Sequence, residues 1–121
     1  MKRKMLYAGA VAVAMLGAMA RSVEVSAQSE PKRVEVVAKK FSFEPADVTV
    51  KKGEPVVLVL KSEDVAHGLR FRELNVDVRA AKGATAEVRF TPDKTGDFMG
   101  HCSVFCGSGH GTMMLTLHVV N

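Results

Sequence analysis

Four side chains near the end of this 121-residue sequence are spaced for soft-metal chemistry: Cys102, Cys106, His110 and Met113, all within CSVFCGSGHGTM. Thiolate and thioether are soft donors and imidazole suits the same ions, so the mixture favours copper. Gly107, Gly109 and Gly111 are interleaved with them and permit tight backbone turns. A loop this short keeps the four side chains close together. Two other readings stand beside copper. Paired cysteines in an exported chain commonly form a disulfide, which would leave His110 and Met113 without a task. Two cysteines and two histidines also suit zinc, but zinc has no use for Met113. A fifth donor is available upstream, where SEDVAHGLRF puts His67 at the start of an apolar run that follows a loop.

The elements that must position these residues are short and extended. From Val34 onward, apolar runs rich in Val, Leu, Phe and Thr recur about every ten residues between turn residues. They include VEVVAKKFSF, ADVTV, PVVLVL, HGLRF, NVDVRA, TAEVRF, DFMGHC and MLTLHVV, with KKGE and AKGA as turns. In TAEVRF, Ala86, Val88 and Phe90 share one face, and in LTLHV, Leu115, Leu117 and Val119 do the same, as period-two alternation requires. VVLVL is apolar on both faces and reads as a central strand. No run after the first 27 residues keeps helical spacing over three turns. The expectation is an all-β sandwich, with the 102–113 loop at one end between the strands DFMGHC and MLTLHVV.

The first 27 residues differ in kind. MKRKMLYAGAVAVAMLGAMA sets three basic residues before an apolar stretch that ends in small residues, the layout of a signal peptide, with cleavage after Ala20 or Ala27. The apolar part, Met5 to Ala20, is 16 residues, short of the roughly 20 a membrane span needs. An uncleaved membrane anchor is the alternative. Either way the chain reads as exported, to a periplasmic or other extracytoplasmic compartment. Residues 28–33 read as a flexible lead-in and 34–121 as one domain. Four of the 17 basic residues and one of the 13 acids lie in the first 27, which leaves 13 against 12 in the remainder. The basic balance belongs to the leader, so nucleic-acid binding has no compositional support.

The loop CSVFCGSGHGTM resembles the copper loop of the CuA cupredoxin domains found in cytochrome c oxidase subunit II and nitrous oxide reductase, whose pattern is C-x3-C-x3-H-x2-M. The resemblance runs from about Phe41 to Val120, and the segment FEPADVTVKKGEPVVLVLKSEDVAHG fits it. It implies a cupredoxin-like Greek-key β-sandwich with a binuclear copper site. Cys102 and Cys106 would bridge two copper ions, with His67 on one and His110 on the other. Met113 and the backbone carbonyl of Val104 would be weak ligands. Oxidase members usually carry Glu at position 104, but a carbonyl ligand survives that change. They also often have an aromatic residue where Met99 stands and glutamine where His101 stands, and an exposed tryptophan for electron transfer that this chain lacks. Those departures bear on docking of a cytochrome, not on the ligand set.

The resemblance implies one-electron transfer, with a redox partner protein such as a cytochrome. The chain would be a soluble carrier or a subunit of a cytochrome c oxidase-like complex, with no turnover of its own. Copper trafficking, with a copper donor or acceptor as partner, is the alternative, and a thiol-disulfide protein is a third reading. The remaining candidates have plainer explanations. Strand alternation sends His101 to the face opposite Cys102. His118 reads as an exposed strand histidine, and Met99 and Met114 as packing residues, with a methionine-lined copper uptake path as the alternative. Arg70 and Arg72 alternate with Leu69 and Phe71 and read as a solvated face that could guide an acidic partner. Glu63 and Asp64 read as loop solvation.

Overall fold

The computed structural model describes residues 30–121; the leader expected over 1–27 lies outside the described residues. Strands β1 (Lys32–Lys39), β2 (Ser42–Glu44), β3 (Asp47–Lys51), β4 (Val56–Ser62), β5 (His67–Phe71), β6 (Val76–Ala80), β7 (Thr85–Phe90), β8 (Gly96–His101) and β9 (Met114–Val120) form two sheets. One sheet has the order β2-β1-β4-β7 and the other β3-β9-β8-β5-β6. Parallel pairing of β1 with β4 and of β3 with β9 joins segments distant in sequence, while the other ladders are antiparallel. Single 3-10 turns at Arg72–Leu74 and His110–Thr112 are the helical elements among the described residues. None of the helical elements is long and apolar enough to cross a membrane.

The alternation read in the sequence is what builds the sandwich. Leu115, Leu117 and Val119 of β9 point inward with Val34, Val36 and Ala38 of β1 and Leu69 and Phe71 of β5. Burying each large side chain of this kind contributes on the order of 1.5–3 kcal/mol. Strand β4 is apolar on both faces because it lies between β1 and β7. Its outward Val57 and Val59 sit in register with Arg33, Glu35, Arg89 and Glu87, whose aliphatic stems flank them. The half-buried Ala86, Val88 and Phe90 mark β7 as an edge. Both expected turns form, with Gly53 and Gly83 at positive φ of 79° and 71°.

Two boundaries differ from the sequence reading. Strand β1 starts at Lys32, inside the segment 28–33 read as a flexible lead-in, because Lys32 and Arg33 pair with Val56 and Val57 and the Lys32 amide donates to Pro55 O at 2.8 Å. The run VEVVAKKFSF is not one strand. It folds back at Lys40 and Phe41, so that Phe43 of β2 enters the core and Phe41 is free to reach the 102–113 loop.

Gly100 sits on the inward face of β8 between Phe98 and the start of that loop. A Cβ there would come within 2.7 Å of Leu69 and the Phe71 ring. The missing side chain lets β5 and β8 press together at the end of the sandwich that carries Cys102.

Candidate metal centre

Cys102, Cys106 and Met113 belong to the hydrophobic core, 5%, 6% and 0% exposed. The segment between Cys102 and Met113 is closed at its base by a hydrogen bond from the Cys102 amide to Met113 O at 3.3 Å. Its start is tied to β5 and β6: the Ser103 amide donates to Gly68 O at 3.3 Å and the Ser103 hydroxyl to Asp77 Oδ1 at 2.9 Å. Gly68 has no room for a Cβ, which would collide with the Ser103 hydroxyl.

The three loop glycines do different work. Gly107 adopts a positive φ of 134°, which disfavours any side chain. Gly109 has ordinary backbone angles but lies flat under the Phe41 ring, which occupies the space a Cβ would take. Gly111 has open space at that point and no positive φ, so the turn does not require a glycine there.

The donor atoms form a chain. His67 Nδ1 lies 3.9 Å from Cys102 Sγ, Cys102 Sγ lies 3.7 Å from Cys106 Sγ, and Cys106 Sγ lies 3.7 Å from His110 Nδ1. The Cys102 thiol also donates to Val104 O at 3.1 Å, and Cys106 Sγ is 3.8 Å from Met113 Sδ. Each cysteine therefore has one imidazole and one weaker donor beside it. The nearest donor atoms of His67, Cys102 and Cys106 all fall within 4.8 Å of one another. Both cysteines are free thiols. Burial first, and then the hydrogen bond with Cys102, push the Cys106 thiol up to about 11. Two thiolates this close need a cation between them, which the donor set is built to hold.

The two imidazoles are positioned differently. His67 is fully buried at the first residue of β5. Its Nε2 lies 2.7 Å from Asp64 Oδ1. Asp64 also accepts the amides of Lys40 and Val65, each at 2.8 Å. The Lys40 amide and then the His67 ring hold its carboxyl far below the usual carboxylate range. An ionised carboxylate only accepts, so Nε2 carries the hydrogen and the neutral ring presents the Nδ1 lone pair to Cys102. His110 stands half-exposed in the 3-10 turn, its ring 5.6 Å from that of Phe105, which is 80% exposed.

The loop residues His110, Cys102, Cys106, Val104 and Met113 thus converge with His67. His101 and His118 stay apart from them. His101 is exposed beside Arg70, Arg72 and Ser103 on a shallow cleft whose floor reaches Cys102 and His110. Arg72 has left the strand for the 3-10 turn yet shares that cleft with Arg70. His118 is held between two carboxylates, Asp97 Oδ1 at 2.6 Å and Asp47 Oδ1 at 3.0 Å. Met99 and Met114 correct the packing assignment: they are 44% and 43% exposed. Asp64 is the residue that sequence reasoning missed. Its signal was the carboxylate three residues before His67 in EDVAH, which was read as solvation.

The profile of the cupredoxin-like domain family matches residues 9–115. Cytochrome c oxidase subunit 2 of Thermus thermophilus is 33% identical over 86 residues, covering 71% of this chain and 64% of that protein. Nitrous-oxide reductase of Cupriavidus necator is 33% identical over 81 residues, which cover 64% of this chain and 13% of the reductase. In structure, a subunit of a heme-copper terminal oxidase dimer superposes with a TM-score of 0.66 at 28% identity, covering 75% of this chain and 66% of that one. The chain thus spans somewhat less than two thirds of the oxidase subunit and a small part of the reductase. The two-sheet architecture and the family profile agree, and the chain belongs to the cupredoxin-like domain family.

Proposed function

We propose that this chain is an exported copper protein that holds two copper ions between Cys102 and Cys106 and passes single electrons to and from a partner protein. The observation that carries the reading is the ordered row His67, Cys102, Cys106, His110, with the Val104 carbonyl beside one sulfur and Met113 beside the other. A mononuclear blue-copper site uses one cysteine, and a second at this distance, with its own imidazole, leaves a donor set for a second metal. The soft character of the row favours copper over zinc, for which the thioether is a poor ligand.

When bound, the copper pair supplies a one-electron couple spread over two metals and two sulfurs. The rest is the work of the chain. Asp64 holds the His67 ring in the tautomer that offers Nδ1, so this ligand need not reorient when the charge changes. The core holds both sulfurs and Met113 against rigid strands, which keeps ligand positions alike in both oxidation states. Phe41, laid over Gly107 and Gly109, covers the loop backbone. At the rim, His110 and the exposed Phe105 offer a short apolar contact, and Arg70 and Arg72 add positive charge beside it. A partner such as a cytochrome would dock there. The leader motif and the oxidase relative favour a site of action outside the cytoplasm, as a carrier or as part of a larger complex.

Reduced protein reconstituted with copper is expected to take up two copper ions per chain and show a mixed-valence electron paramagnetic resonance signal. One ion per chain with a blue spectrum overturns the binuclear reading. Cys106→Ser should abolish the signal, whereas Val104→Ala should leave it, because the carbonyl remains. If copper moves instead to an apo acceptor while electron exchange with a small cytochrome is slow, the function is trafficking.

A further inference from the structure

Strands β8 and β9 carry chemistry on both faces. Inward they present Cys102 and Met113, just beyond their ends. Outward, alternation exposes Met99 and His101 on β8 and Met114 on β9. The register sets His101 directly opposite Met114, and Met99 opposite Thr116, two residues further on the same face. Directly opposed Cβ atoms in such a ladder are about 4.5–5.5 Å apart and diagonal neighbours about 7–8 Å, within reach of long side chains. The Thr116 hydroxyl lies 3.3 Å from Met99 Sδ, which draws that sulfur across the ladder toward β9. Strand β3 begins its pairing with β9 at Thr116, so no β3 residue stands beside Met114.

Packing does not explain these methionines, because both are more than 40% exposed. We propose that Met99, His101 and Met114 form a surface site for one monovalent copper ion, separate from the buried donor row. Two thioethers and an imidazole are neutral and soft, a set that selects monovalent copper over harder divalent ions. The carboxylates on the same face, Asp97 and Asp47, are engaged by His118 further along the strands and add no hard ligand. Arg70 stands opposite His101 from the β5 side, which disfavours doubly charged ions further and keeps the site weak. The site is one residue along each strand from Cys102 and Met113, so an ion released from it starts next to the buried sulfurs. It does not depend on how many copper ions that buried row holds.

The test uses the full chain with Cys102→Ser and Cys106→Ser, titrated anaerobically with monovalent copper against a colorimetric chelator. One equivalent should stay with the protein, and adding Met99→Leu and Met114→Leu should remove it. Retention of nothing by the first variant, or of the same equivalent by the second, overturns the proposal. If the cysteine variants do not fold, the copper-loaded wild-type protein is titrated with silver(I) while the methionine methyl resonances are followed. Those of Met99 and Met114 should shift together and saturate at one equivalent, with His101→Ala weakening the response at least tenfold. Independent shifts, or none, overturn it. Copper content of the loaded protein is measured in the same sample, so failure of the binuclear reading is seen separately.

Discussion

The two imidazoles of the metal centre show two ways of holding a ligand. His67 begins a strand, is fully buried, and is clamped through Nε2 by a carboxylate that also ties down the β1–β2 turn. His110 sits in a 3-10 turn of the loop, half-exposed, with an exposed phenylalanine as its neighbour. One end of the site is therefore part of the folded body and the other part of its surface. A ligand of the first kind is inseparable from stability, while one of the second kind can be altered with the fold intact.

The largest expected effect separates them directly. His67→Ala removes a buried ring and leaves Asp64 without its partner, and should destabilise the metal-free protein by about 2–4 kcal/mol. His110→Ala should change it by no more than about 0.5 kcal/mol, as at other half-exposed positions. Urea unfolding of both metal-free variants checks this. Equal losses would mean that the buried ring is not the better anchored of the two. Both variants should lose copper, so metal content alone does not distinguish them.

A milder change sharpens the comparison. Asp64→Asn keeps the shape of the clamp but removes the charge that fixes the His67 tautomer, since an amide can turn either its oxygen or its NH2 toward Nε2. Copper affinity should fall about 10–100-fold, the usual range for losing such a supporting contact. The chelator-competition constant is the measurement, with His110→Ala alongside. No change would show that ring orientation comes from packing alone.

These residues also show what the sequence could carry. Alternation in LTLHV and TAEVRF and the two-sided apolar run VVLVL were legible because burial follows directly from period-two patterning. The loop donors were legible because a twelve-residue segment with two cysteines has few ways to scatter them. What stayed hidden depended on contacts across the fold. Asp64 looked like a solvated loop acid until the Lys40 amide and His67 ring were seen to converge on it. Phe41 looked like part of a strand, yet it is the ring that makes Gly109 necessary. Met99 and Met114 looked like core because methionine usually is, but their positions on the outer face put them in water.

A third imidazole gives the smallest effect and extends the comparison. His118 sits further along β9, where both ring nitrogens meet carboxylates, Asp97 on one side and Asp47 on the other. His67 has a carboxylate at one nitrogen and a sulfur at the other, so a neutral ring with one bare nitrogen suits it. His118 has acceptors at both, so the doubly protonated cation suits it. Its hydrogen bonds first with Asp97 and then with Asp47 raise its pKa above the ordinary 6.5. Because the folded value lies above the unfolded one, this stabilisation is complete below the ordinary pKa and is lost as pH rises through the raised one. His118→Ala should therefore lower the melting temperature of the metal-free protein slightly at about pH 5.5 and not at about pH 9, while copper content stays the same. A variant that lost metal would place His118 in the centre after all, and one equally destabilised at both pH values would show that the ring acts by packing rather than by charge.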